Sequence, residues 1–157
     1  MAPARLNTPS HLQRENPMPT IFFTADEHYD HKNILAHQPN RAERFGCVEE
    51  MQEALIAGHN ELVGEKDTVY HLGDIAWKDP RPFVARLNGA HVLIRGNHDY
   101  WHKKAKLTDC FAAVHQVLKV KQDGVLLWLS HYPHLSWPMD AKRVLETDGR
   151  VVFAKPK

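Results

Sequence analysis

An α/β fold with a parallel sheet is predicted by three stretches built on one plan. Each is a short apolar run of β-type residues that ends in side chains able to hold a metal. Ile21 to Thr24 leads into Asp26-x-His28, Thr68 to His71 into Leu72-Gly73-Asp74, and Val92 to Ile94 into Gly96-Asn97-His98-Asp99. Helical or turn-rich segments separate them, so the order is βαβαβ, which implies parallel strands and right-handed crossovers. In an open α/β sheet, ligands collect at the carboxyl ends of the strands, where all three motifs fall.

The chain has 157 residues, a length that favours one domain with a sizeable core. Residues 1–19 carry Pro3, Pro9, Pro17 and Pro19 among polar residues and read as a tail; residues 20–157 read as the domain. A formal net charge of +1 gives no bias toward nucleic acid or an anionic membrane, so neither is expected as an obligate partner. No apolar run reaches the ~20 residues of a membrane span, and no apolar leader is evident. Cys47 and Cys110 form no CxxC and are too few for a disulfide scaffold. A reducing, cytoplasmic setting is the simpler expectation.

In order along the chain, residues from Asn33 to His37 suit a short helix stopped near Pro39. Arg41 and Arg44 then read as solvated loop arginines, with phosphate contact the rarer alternative. Val48 to Val63 is the clearest helix. Val48, Met51, Leu55, Ile56 and Leu62 follow the spacing of one buried face, acids crowd the first half, and Gly64 supplies a stop. Pro80 and Pro82 suit the entry to a short helix, Phe83 to Leu87. Val114 to Val120 and Val125 to Leu129 flank Asp123-Gly124, a strong hairpin signal. The second arm ends in Ser130-His131, another histidine at a strand end. Arg150 to Ala154 is the one plausible strand in the remainder. His37, His59, His71, His91 and His115 read as surface, core-edge or strand residues.

Asp26, His28, Asp74, Asn97, His98 and His131 share a chemical logic. Carboxylates and imidazoles suit borderline divalent ions such as manganese, iron, nickel and zinc. One aspartate can bridge two cations, and two cations ~3.5–4 Å apart can clamp a phosphoryl group. A histidine outside the ligand set can protonate the leaving oxygen. Each motif alone is a common turn; their recurrence at successive strand ends gives them force.

Together, Asp26-x-His28, Gly73-Asp74, Gly96-Asn97-His98-Asp99 and Ser130-His131 resemble the calcineurin-like metallophosphoesterase superfamily, and within it the small single-domain bacterial and phage members. The resemblance covers about residues 20–138. It implies an αββα sandwich with a dinuclear site at the sheet edges. It further implies Asp26 and His28 on one metal, Asp74 bridging, Asn97 and His131 on the other, and His98 as general acid held by Asp99. The metals would be two divalent ions, manganese first, with iron, nickel or zinc as alternatives. The implied activity is hydrolysis of phosphomonoesters or phosphodiesters of small molecules by a metal-bound hydroxide.

One motif departs from the pattern. The family continues to a Gly-His-x-His that completes both metal shells, and this sequence has no histidine after His134. Glu146, Asp148 or His134 are the available substitutes. A degenerate member that binds phosphate ligands or a partner without efficient turnover is therefore the alternative reading. The same gap leaves the second sheet incomplete at the C-terminus. Residues 139–157 are accordingly expected to add a replacement strand or to mediate homo-oligomer formation.

Overall fold

The computed structural model describes residues 18–99, 107–134, 142–145 and 151–154. Four parallel strands form the main sheet in the order β1 (Ile21–Thr24), β2 (Thr68–His71), β3 (Ala90–Ile94) and β4 (Ala113–His115). The register aligns Phe23 with Tyr70 and Tyr70 with Val92 on one face. Val69, His71 and Leu93 lie on the other and are buried. Between the strands come α1 (Ile34–His37), α2 (Pro39–Ala42), α3 (Val48–Leu62) and α4 (Arg81–Val84). This is the mixed α/β architecture with a parallel sheet that the three repeated stretches predict. No helix among the described residues is long and apolar enough to cross a membrane.

The core lies between the sheet and the helices. Ile56 of α3 and Val84 of α4 pack with Leu93, Phe111, Ile75 and the ring of Tyr29. The ring of Phe83 stacks on that of Tyr29 at 4.8 Å. Helix α3 starts where Cys47 Sγ accepts from Glu50 N at 3.4 Å, and Glu49 and Glu50 sit in its first turn, where the helix dipole favours acids. Two details of the predicted helix change. Leu62 is 70% exposed, and Val63 takes its place in the core. Met51 and Ile56 are the buried residues of the helix, with Leu55 partly buried against the core. The helix also ends through Val63 in an extended conformation rather than through a left-handed glycine.

The segment after β3 divides differently from the sequence expectation. Val114 to Val120 is not one strand. It breaks at Gln116, with β4 joining the parallel sheet and β5 (Val117–Gln122) pairing antiparallel with β6 (Val125–Ser130). Parallel addition to β3 satisfies the outer edge of that strand, which a single long hairpin arm would leave open. The Asp123-Gly124 turn is as expected: both residues have positive φ, 49° and 82°, as a two-residue hairpin of this hand requires. The predicted C-terminal strand appears as β8 (Val151–Ala154). It pairs with β7 (Lys142–Leu145), a strand not anticipated, rather than extending β5 and β6. Asp148-Gly149, between them in sequence, is the same hairpin signal and could have pointed to that pairing. In place of one second sheet, the described residues form two separate two-stranded ones.

Behind the sheet runs a buried polar chain. His91 Nε2 lies 3.3 Å from Leu87 O, His91 Nδ1 lies 3.0 Å from His71 Nε2, and His71 Nδ1 lies 2.8 Å from Glu27 Oε1. A carbonyl only accepts, so His91 Nε2–H donates to Leu87 and His91 Nδ1 accepts from His71. His71 Nδ1 and the Glu27 carboxylate then share one proton. Burial opposes charge on Glu27, but the His71 charge and hydrogen bond outweigh it and hold the carboxyl below its ordinary range. His91 has no such partner, and burial followed by the neighbouring His71 charge pushes it down to about 4.

A consequence for acid stability follows. An unfolded histidine protonates near pH ~6.5, well before the folded His91 ring does. The unfolded chain therefore binds the extra proton first, and stability falls as pH drops from ~6.5 toward 4, by up to about 3 kcal/mol. Urea unfolding of metal-free protein should show that decline, with the His91 ring proton titrating near 4 by NMR. A His91 ring that titrates near 6.5 would contradict the buried-neutral assignment.

Candidate metal centre

The site is built by loops that continue the sheet pairing beyond the strands. Asp26 N donates to Gly73 O at 3.0 Å, His28 N to Asp74 O at 3.1 Å and Tyr29 N to Ile75 O at 2.9 Å. The β1 and β2 loops thus run side by side, which places Asp26, His28 and Asp74 together. The arrangement needs unusual backbone. Asp26, His28, Asp30 and Asp74 all have φ between 55° and 60°, in the left-handed region that non-glycine residues seldom adopt. Such strain gathers at functional sites, where surrounding contacts over-determine it.

Those contacts are visible. The Asp99 carboxylate accepts from Asp74 N at 2.8 Å, Ile75 N at 3.2 Å and Gly96 N at 2.7 Å. It is almost wholly buried and clamps the β2 loop to the β3 loop. The resemblance implies that Asp99 holds the His98 ring; its carboxylate is committed to backbone amides instead, and no bond joins the two side chains. His98 is placed from the other direction, its backbone N–H donating to Asp74 Oδ1 at 2.8 Å.

Asp74 is the centre. Its Oδ2 atom lies 3.9 Å from His28 Nε2, 3.8 Å from His98 Nε2 and 3.7 Å from His131 Nε2. Asp26 Oδ1 is 3.6 Å from His28 Nε2. The ligand-type atoms of Asp26, His28 and Asp74 all fall within 4.8 Å of one another. His131 arrives from the end of β6, with Nδ1 held by Leu72 O at 2.8 Å and Nε2 3.1 Å from Asn97 Oδ1. Because Nδ1–H donates to that carbonyl, the neutral ring presents a lone pair from Nε2 toward the Asn97 oxygen. A shared cation satisfies both acceptors. His28 Nδ1 is buried without a partner, and burial holds the ring neutral against the pull of Asp74 and Asp26, the form a ligand needs. The donor set therefore fits divalent cations.

All seven residues singled out from sequence lie in this region, but in different settings. His98 is as near to Asp74 as the other two imidazoles, so distance alone does not separate it from them. Its side chain is 34% exposed, against 8% for His28 and 13% for His131. His134, weighed as a substitute ligand, is exposed and bonds Ser130 Oγ at 2.7 Å. Glu146 and Asp148 lie outside the described residues.

Arg41 is corrected. It is not a solvated loop residue: it lies on α2, half-buried, and its guanidinium donates to Glu27 O at 3.0 Å and to Asp26 O. It also lies 3.4 Å from Met51 Sδ. It thus pins two consecutive carbonyls of the left-handed ligand turn. Arg44 stays exposed, as expected. No local pattern marks Arg41; Pro39 beginning a new helix, rather than ending one, was the available signal.

Over residues 19–151 the chain matches the calcineurin-like phosphoesterase family. It belongs to that family. It is 34% identical over 140 residues to an uncharacterized protein of Methanocaldococcus jannaschii, an alignment covering 86% of this chain and 68% of the relative. It is also 34% identical over 97 residues to the gene 66 protein of Mycobacterium phage L5, covering 54% of this chain and 42% of that protein. A solved structure, a protein of unknown function from Aquifex aeolicus, aligns with a TM-score of 0.63 at 26% identity, covering 78% of this chain and 64% of that one. The chain thus spans less than half of the phage relative and about two thirds of the other two. Membership in that family is in keeping with the mixed α/β sheet.

Beside these loops opens a cleft of about 410 Å³. His28, Asp74 and His98 form one wall, and His31, His37 and Trp77 form much of the rest. His31 and Trp77 were not singled out from the sequence as site residues.

Proposed function

We propose that this chain is a metal-dependent phosphoric ester hydrolase acting on small phosphomonoesters or phosphodiesters. The observation that supports the reading is the Asp74 Oδ2 atom with three imidazole Nε2 atoms ranged about it at 3.7 to 3.9 Å. Those separations are too long for hydrogen bonds and suited to cations held between the groups. Asp26 and His28 are assigned to one cation, Asn97 and His131 to a second, and Asp74 to both. Manganese is the first choice, with iron, nickel or zinc accepted by the same donors. When bound, such cations polarise phosphoryl oxygens and acidify water.

The protein's own groups do the rest. Asp74 and His131 are locked by neighbouring backbone, so they need little rearrangement. His98, the most open of the three rings, is positioned to give a proton to the leaving oxygen. Its backbone tether to Asp74 keeps it at the ligand cluster. The two free thiols fit a reducing cytoplasm: Cys47 caps α3, and burial pushes the Cys110 thiol up to about 11, far from reactive.

Leaving-group dependence tests the assignment. His98→Ala should cut turnover of alkyl phosphates by ~10²–10⁴ and leave activated aryl phosphates far less affected, with metal content unchanged. Equal losses on both, or loss of metal, would remove His98 from the acid role. The alternative reading is a binder with poor turnover. Stoichiometric metal by elemental analysis without hydrolysis of any ester would select it.

A further inference from the structure

We propose that Trp77 and His31 form a shelf that receives the organic part of the substrate, and that this part is a planar aromatic group. The proposal rests on the phosphoesterase reading above and names the substrate class of the same site.

Trp77 is 42% exposed, an unusual state for the largest apolar side chain beside a buried polar cluster. Its placement is not loose. Trp77 N donates to Tyr29 O at 2.7 Å, and Ala76 bridges Tyr29, so the backbone beneath it belongs to the paired ligand loops. The indole centroid lies 4.2 Å from that of His31 and 5.0 Å from that of His98. The leaving oxygen must come to His98 to be protonated, and whatever that oxygen carries is then within one ring's width of the indole. An aromatic face at that position favours stacking over aliphatic contact.

The other side of the cleft narrows the class. Ile34 is apolar, and Asn33 and Gln38 are neutral amides able to bond the edge of a heterocycle. Among the described residues that line the cleft, none is a lysine or arginine. An aryl phosphate and a nucleoside monophosphate share the chemistry that fits.

The metal-loaded protein and its Trp77→Ala and Trp77→Phe variants would be compared on 1-naphthyl phosphate, AMP and glycerol phosphate. Trp77→Ala should raise KM for the planar esters about fivefold or more, with kcat little changed, while glycerol phosphate stays within twofold. Trp77→Phe should restore most of the loss. Calorimetric binding of a non-hydrolysable naphthyl phosphonate should weaken in parallel. A shift for naphthyl phosphate alone, or for AMP alone, upholds the shelf and assigns its occupant. Equal shifts for all three esters, or none, overturn it. Wild-type protein that holds metal but hydrolyses neither these monoesters nor bis(4-nitrophenyl) phosphate ends the phosphoesterase reading, and the substrate assignment with it.

Discussion

Asp74→Ala is expected to bring phosphoester hydrolysis down to the uncatalysed background and to empty both cation positions together. Among the described residues no other side chain has an oxygen facing three imidazoles, so none of them can replace it. Removing Asn97 would affect one cation only. Elemental analysis should therefore read a graded loss for Asn97→Ala and a complete one for Asp74→Ala. Unfolding is a separate matter. Asp74 is almost fully buried, and without cations its charge is compensated mainly by the His98 amide. Asp74→Asn keeps the shape and removes the charge, so its thermal midpoint in chelator should equal or exceed that of the parent. Retention of two cations by Asp74→Ala would refute the bridging role. A midpoint far below the parent for Asp74→Asn would show that the residue is structural first.

Gly96→Ala should damage the site without replacing a ligand. A Cβ at Gly96 would run into Asp74 Oδ1 and lie 2.8 Å from Asp74 N and 2.9 Å from Asp74 Cγ. Backbone atoms on one side and the Asp99 clamp on the other leave no room to yield. Overpacking of this kind is expected to lower stability by about 1–3 kcal/mol. By displacing Asp74, it should also weaken metal binding by about 10- to 100-fold, the usual scale for a disturbed supporting contact. Urea unfolding of metal-free protein reads the first effect and calorimetric titration with manganese the second. Gly73 is constrained for a related reason: its φ is 105°, and a Cβ there would meet Gly96 N at 2.7 Å. Wild-type stability and metal affinity in Gly96→Ala would mean that the two loops are not packed as described.

Much of the site was legible because chemistry and topology coincide in these motifs. Asp26, His28, Asp74, Asn97, His98 and His131 are the right residue types, and short apolar runs place each group at a strand end. The supporting contacts were not legible. Asp99 reads as the orienter of His98 only while its three amide partners, two of them more than twenty residues away in sequence, are unknown. Arg41 reads as solvated because its partners are backbone carbonyls, which carry no residue identity. Trp77 and His31 lie in stretches without periodicity, and only the folded loops bring their rings to the cleft.

What this sequence determined by itself is whatever depends on near neighbours. Apolar runs set three parallel strands, a three-to-four-residue spacing set the buried face of α3 apart from Leu62, and Asp123-Gly124 set a hairpin. Tertiary structure decided the matters that compare distant alternatives. Val114 to Val120 could serve as one hairpin arm or as two strands, and the open edge of β3 selected two. Val151 to Ala154 could pair with β6 or with β7, and pairing went to the strand nearer in sequence, where closing the loop restricts the chain least. His71 and His91 look alike in their strands. One shares a proton with Glu27 and the other is held neutral, because only assembly of the sheet places a carboxylate beside the first and buries the second next to the charge of the first.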